Sequence, residues 1–272
     1  MSLALEQRIY QNIRRGPFIW IVGKTLILHD SNPLLISCEH AGTALPACSQ
    51  DAFPVDGWSR RRLVDQSKHQ GALSAAHLIS QITSAPLYNC SVARAVIDVN
   101  RSKHHRELFG QRLRTAPATV KEDILQTVYD PYRQQLRSKL AAIIEQHSFV
   151  IHVAVRTFPP FRKKAPRRAD VGLVYDTNSA NEIDLCLDWY DELFDRVHWI
   201  RVRRNYPVRG RRDTMMKCFR RYFGTDRYIG VELFLNEAWT RRRTLLRDQT
   251  FVGLGMTLQT VTSFAGSNAE AA

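Results

Sequence analysis

Several short stretches carry residues suited to hydrolytic or anion-binding chemistry. Ser37-Cys38-Glu39-His40-Ala41-Gly42 follows the apolar run Pro33-Leu34-Leu35-Ile36, so Glu39 and His40 stand where a buried strand ends. Such a corner is a metal or catalytic site, or a polar loop after a strand; the pair alone does not decide. Asp98-Val99-Asn100-Arg101-Ser102 closes a second apolar run. Asp98 and Asn100 alternate with Val99 and are expected to point the same way, and the planar fork of Arg101 suits a carboxylate. Arg156-Thr157-Phe158-Pro159-Pro160 ends a third run. Glu232 lies inside the apolar stretch Gly230–Phe234, where a carboxylate is costly unless paired. Asp65 and His69 have i, i+4 spacing in a helical pattern, which puts them on one face. They would orient each other, turn together to a metal, or form an exposed pair.

The elements that must position these residues read as alternating strands and helices. Strands are expected at Pro33–Ser37, Ala93–Asp98, Phe149–Val155, His198–Arg203 and Tyr228–Phe234, several of them near-continuous Val/Ile/Leu runs covered on both faces. Helices are expected over Arg61–Thr83, over Val120–His147 with a break near Pro131, and over Asn181–Val197 with Asn181 as cap. This alternation predicts an α/β three-layer sandwich. Function in such sheets gathers at the carboxyl ends of strands, where the residues above lie. Lys163 to Arg168 reads as an exposed basic loop. One domain is expected over residues 1–265, with a flexible tail over 266–272.

The chain has 272 residues, 44% of them hydrophobic, enough for one large α/β domain and too apolar for disorder. No apolar run reaches the ~18 residues that span a bilayer, and MSLALEQRIYQNIRRG lacks the apolar core of a secretory signal. The five cysteines are scattered, without a CxxC pair, and read as reduced thiols. A cytoplasmic protein with no membrane partner is expected. The formal net charge of +13 attracts anions in general. Its excess sits in Arg60–Arg62, Arg162–Arg168, Arg201–Arg212 and Arg241–Arg243, with no nucleic-acid-binding motif around these clusters.

Taken in order, SCEHAG, DVNRS, IHVAVRTFPPFRKKAPRRADVGLVYD, VRRNYPVRG and YIGVELFLN resemble the N-formylglutamate amidohydrolase family, over about Asn32 to Asn236. The resemblance implies a zinc-exopeptidase-like α/β fold with a mixed, largely parallel central sheet. It implies hydrolysis of an N-formyl or similar amide on an acidic amino acid by water activated on zinc or a similar divalent metal. His40 is then the expected metal ligand, with Glu39 beside it as a ligand or as its orienter. Asn100 and Arg101 would hold the substrate carboxylate, and Arg94 would meet a substrate anion or the developing oxyanion. Glu232 resembles the general base. Asn205 matches a polar position expected at the substrate, and Asn236 a further one without an assigned role.

This chain departs from the family pattern in two places. Arg156 stands where the family has a ligand histidine, and a guanidinium stays protonated and offers no lone pair. His152, on the same strand face, lies about 13 Å back along the chain. The family's His-then-Asp order before Gly-Ala is exchanged here to Asp65, then His69. Val208, Thr214 and Phe234 also differ from the family's preferences. His40, His69 and either Glu39 or Asp65 would make a three-ligand site if helix and strand end converge. Otherwise Arg156 replaces the metal as a fixed cation, pairs with Glu39 or Glu232 or binds a carboxylate ligand, and the chain is an altered homologue. A nucleic-acid partner is the remaining, less favoured reading. Oligomeric state is not legible.

Overall fold

The computed structural model describes residues 32–67, 69, 71–241 and 244–270. All of these fall in the unit that begins at Ser31; the expected domain start at residue 1 lies outside them. In chain order the strands are β1 (Leu34–Cys38), β2 (Leu87–Asn89), β3 (Val150–Phe158), the small hairpin β4 (Phe161–Arg162) and β5 (Ala165–Pro166), then β6 (Val171–Val174), β7 (Val202–Arg204) and β8 (Tyr228–Asn236). The helices are α1 (Gly57–Ser67), α2 (Ala72–Thr83), α3 (Ala118–Ile124), α4 (Asp130–His147), α5 (Ala180–Arg196), α6 (Met215–Phe223), α7 (Glu237–Thr240) and α8 (Leu245–Glu270).

Six strands form one sheet in the order β2-β1-β3-β8-β6-β7. β2, β1, β3 and β8 run parallel, and β6 and β7 run against them. Every residue of β1, β3 and β8 is buried, as strands covered on both faces require. Alternate residues feed two separate cores. Ile36, Val153 and Val231 join Ala76 of α2, Trp189 of α5 and Leu254 of α8 on one face. Leu35, Ala154 and Tyr228 join Leu136 and Leu140 of α4 and Phe219 of α6 on the other. The result is the expected three-layer α/β sandwich.

Several boundaries differ from the sequence reading. Ala93–Asp98 is a run of turns and isolated bridges, because the Val96 amide bonds back to the Ala93 carbonyl and the Asp98 amide to the Leu108 carbonyl. The helical pattern from Arg61 to Thr83 splits into α1 and α2 at Gly71, whose φ of 80° is left-handed. A Cβ there would lie 2.5 Å from that of Thr240, so glycine also permits this close approach. The pattern from Val120 to His147 is interrupted just before Pro131, as expected. A π-helical turn, Leu125–Tyr129, leads into α4 and places the proline in its first turn, where its missing N–H matters least. Ser179, rather than Asn181, precedes α5. The strand expected at His198–Arg203 is only Val202–Arg204. α8 is helical through Glu270, past Gly266, where a tail is expected. Among the described residues, no helix is long and apolar enough to cross a membrane.

Candidate functional site

Strand parity and order build the site. On β3, His152, Ala154 and Arg156 point to the α4 side of the sheet. β3 lies between β1 and β8, with Ser37 level with Ala154 on one side and Glu232 level with Ala154 on the other. Arg156 therefore projects between carboxylates supplied by its two neighbours. One of its terminal nitrogens donates to Glu39 Oε2 at 2.8 Å, and its Nε lies 3.0 Å from Glu232 Oε1. Its other terminal nitrogen is 3.5 Å from His40 Nδ1. Arg156, Glu39 and Glu232 are all nearly inaccessible to solvent. Arg212 closes the far side, donating to Glu232 Oε2 at 2.7 Å.

His40 is held at both ring nitrogens. Nε2 lies 2.7 Å from Asp98 Oδ1, so it carries the proton and Nδ1 faces Arg156 as acceptor. His69 lies in the connection after α1, not on it. Its amide donates to the His40 carbonyl, and its Nδ1 accepts the Thr157 amide at 3.0 Å. Its Nε2 is then the protonated nitrogen. The two imidazoles meet edge to face with centroids 4.5 Å apart. Asp65 does not join them: it stays on α1 with its side chain about half exposed, 4.0 Å from Arg61. The one-face reading of Asp65 and His69 fails because α1 ends at Ser67.

Burial pushes both imidazoles below their usual value. Asp98 opposes this at His40, while the neighbouring His40 and Arg94 add to it at His69, which is held well down. Burial also works to raise the carboxyls of Asp98 and Glu39. At Asp98 it is outweighed by His40 with Arg94 and Arg156, and at Glu39 by Arg156 with His152 and Ser37, so both are held below the ordinary carboxylate range. Burial would lower the Arg156 guanidinium, but Glu39 and Glu232 raise it. At the working pH the centre is thus a set of fixed charges and neutral imidazoles.

Beside this cluster a chamber of about 220 Å³ opens at the carboxyl ends of β1, β3 and β8. Arg94, Arg101, Arg167 and Arg212 line it with His40, His69, Asp98 and Asn100, and Phe158, Val208 and Phe234 form its apolar side. Arg94 and Arg101 both reach Asp98 Oδ2, at 3.1 and 3.7 Å. Arg167 stacks on Phe158 and Tyr206. Buried Nε atoms of Arg101, Arg167 and Arg212 make no hydrogen bond.

A family model for N-formylglutamate amidohydrolase matches residues 32–233. The chain belongs to the N-formylglutamate amidohydrolase family. No curated protein sequence matches it. Two solved structures share its fold. A gene product of Agrobacterium tumefaciens, Atu2144, is 18% identical with a TM-score of 0.66, over 88% of this chain and 92% of its own. An N-formylglutamate amidohydrolase from Ralstonia eutropha JMP134 is 17% identical with a TM-score of 0.61, over 89% of this chain and 95% of its own.

The metal expected of an N-formylglutamate amidohydrolase does not fit the donors present. A catalytic zinc takes about three protein lone pairs and an open position. Here both nitrogens of His40 and both oxygens of Glu39 are engaged, and the Arg156 guanidinium fills the space between them. Among the described residues, no group of three or more His, Cys, Asp or Glu side chains is arranged to hold a metal.

Other expected residues fall into place differently. The Asn100 side chain lines the chamber, but its Oδ1 accepts the Met215 amide at the start of α6. Asn205 braces a turn, accepting from the amides of Tyr175 and Gly210, and is not among the chamber's lining. Asn236 accepts the Ala238 amide to cap α7 and donates to the Ala169 carbonyl. Asn236→Ala is expected to lower unfolding free energy by about 1–2 kcal/mol in urea titration. An unchanged midpoint would refute the capping role. The sequence reading singled out neither Arg167 nor Arg212, which it left within the basic clusters Arg162–Arg168 and Arg201–Arg212. It also missed Asp98 as the partner of His40, although Asp98 opens the DVNRS motif.

Behind the chamber lies a buried relay. The Tyr228 hydroxyl meets His152 Nδ1 at 2.7 Å, His152 Nε2 meets Ser37 Oγ at 2.7 Å, and Ser37 donates to Glu39 Oε1 at 2.5 Å. Because Ser37 spends its proton on Glu39, His152 must donate to Ser37 and accept from Tyr228. Every member is satisfied with a neutral ring.

Proposed function

We propose that the chain binds a small acidic N-acyl amino acid, or a related dicarboxylate, in the arginine-lined chamber, and that Arg156 takes the place of its family's metal. Family membership supports an N-formylglutamate amidohydrolase-like hydrolase as the ancestral class; ligand and chemistry are the finer proposal. The observation that carries it is the charge imbalance. Four guanidinium groups, those of Arg94, Arg101, Arg167 and Arg212, line the chamber with one lining carboxylate, Asp98, beside the two imidazoles, while Glu107 and Glu232 pair with Arg101 and Arg212 from outside its lining. An anion entering that chamber gains charge-assisted hydrogen bonds from forks already fixed in place. Glu232, the expected general base, is held between two guanidinium groups instead of facing a substrate water.

Isothermal titration with N-formyl-L-glutamate and with glutarate tests this in metal-free buffer. Saturable binding is expected, and Arg101→Ala and Arg167→Ala should each weaken it about 10–100-fold. Unchanged affinity in both variants would refute the pocket assignment. A second reading, metal-dependent hydrolysis, is favoured by the closeness of the His40 and His69 rings. It requires about one equivalent of zinc in untagged protein and N-formylglutamate hydrolysis that a chelator abolishes. The Arg156 reading expects neither, and finding both would overturn it.

A further inference from the structure

A second chamber, of about 660 Å³, opens beside the first, and Arg94 and Asp98 line both. The two differ in chemistry. The inner one is ringed by cations. The outer one gathers Phe53, Leu63 and Phe109 as its apolar part, and its polar lining is Glu107, Gln111 and the exposed Arg112 and Arg114, besides the shared Arg94 and Asp98. They differ in size as well. Small-molecule sites span ~300–1,000 Å³, so the inner chamber alone admits only a small head group while the outer one lies within that range.

The outer wall is rigidly placed. Gly110 packs so tightly on the 94–98 turn that a Cβ would lie 1.7 Å from the Ala95 carbonyl oxygen. The Gly110 amide bonds to the Val96 carbonyl, and the Asp98 amide to the Leu108 carbonyl. That wall therefore keeps its backbone groups to itself. It offers little to the amides of a continuing peptide and suits a ligand portion with few polar atoms of its own.

Building on the acidic-head reading above, we infer that the ligand is bipartite. It is an acidic amino acid whose carboxylates enter the inner chamber and whose nitrogen carries a large apolar acyl group lying on Phe53, Leu63 and Phe109. The amide between them sits at the Arg94–Asp98 junction. The substrate class is then an N-aroyl or N-alkanoyl acidic amino acid, larger than an N-formyl one.

Titration of the full chain with N-formyl-, N-benzoyl- and N-octanoyl-L-glutamate tests the inference. At least one of the two larger ligands should bind about tenfold or more tightly than N-formyl-L-glutamate, from the apolar surface it buries. Phe109→Ala, and separately Leu63→Ala, should remove most of that gain while leaving N-formyl-L-glutamate affinity within about twofold. If N-formyl-L-glutamate binds and both larger ligands bind no better, the bipartite ligand is refuted. It is refuted also if both variants weaken all three ligands alike. If none of the three binds, the acidic-head reading fails and this inference falls with it.

Discussion

Arg156→Ala is expected to destabilise the fold by about 3–5 kcal/mol, the usual effect of removing one partner from a buried ion pair. The reason is local. Glu39 and Glu232 are almost fully buried and meet on Arg156, so its removal leaves Glu39 with Ser37 and Glu232 with Arg212 alone. Two further variants separate this from a general packing loss. Arg156→Lys keeps the charge but cannot fork to both carboxylates, and should recover only part of the stability. Arg156→Ala combined with Glu39→Gln and Glu232→Gln removes the stranded charges and should recover more. The deficit of the single variant should also shrink as pH falls, because protonation relieves an unpaired buried carboxylate. Urea unfolding across pH measures all of this. A loss under about 1 kcal/mol at neutral pH would mean that the network is not what holds the three strands' ends together.

Acidification from about pH 6.5 to 4 is expected to remove about 3 kcal/mol through His152 alone. Burial is the chief cause of its low value. Glu39 works against that, Arg156 adds to it, and the imidazole is pushed down to about 4. The unfolded ring titrates near its ordinary ~6.5, so the stabilisation is whole above that pH and is lost as pH falls through the window to the folded value. A proton on Nδ1 would also face the Tyr228 hydroxyl, which now donates to it. His40, His69 and Glu39, each held below its usual value, move stability in the same direction. His152→Gln should therefore be less stable than the parent at pH 7.5 but flatter between pH 6.5 and 4.5. Equal slopes would refute the assignment to this ring.

The sandwich was legible because the buried parallel strands advertise themselves. LLISC and VIHVAVRTF need no partner to be read as strands covered on both faces. The residues His40, Asn100 and Arg101, taken from separate motifs, also meet at one chamber at the carboxyl end of the sheet. That Arg156 pairs with Glu39 or Glu232 was expected; that it meets both at once was not, because strand order alone puts it between them and nothing local reveals that order. Arg212 looks in sequence like its solvated neighbours in the Arg201–Arg212 cluster, yet it folds inward onto Glu232. The turn at Ala93–Asp98 was misread as a strand because its apolar residues face a core, as a strand's would, while its amides bond locally. His69 was placed on a helix whose end the pattern did not mark.

The fork of Arg156 also bears on how such a site can change over generations. Two carboxylates share this one cation, so the effects of substitution at these three positions are strongly non-additive. A lineage that placed histidine at position 156 would at once leave Glu39 buried without its cation and Glu232 with Arg212 alone, unless a metal arrived with the change. Loss of either acid would in turn leave the arginine under-paired. On the proposed reading, in which Arg156 takes the place of the family's metal, that exchange would work as a ratchet: once made, it is held by the stability of the fold, whether or not the original chemistry is still wanted.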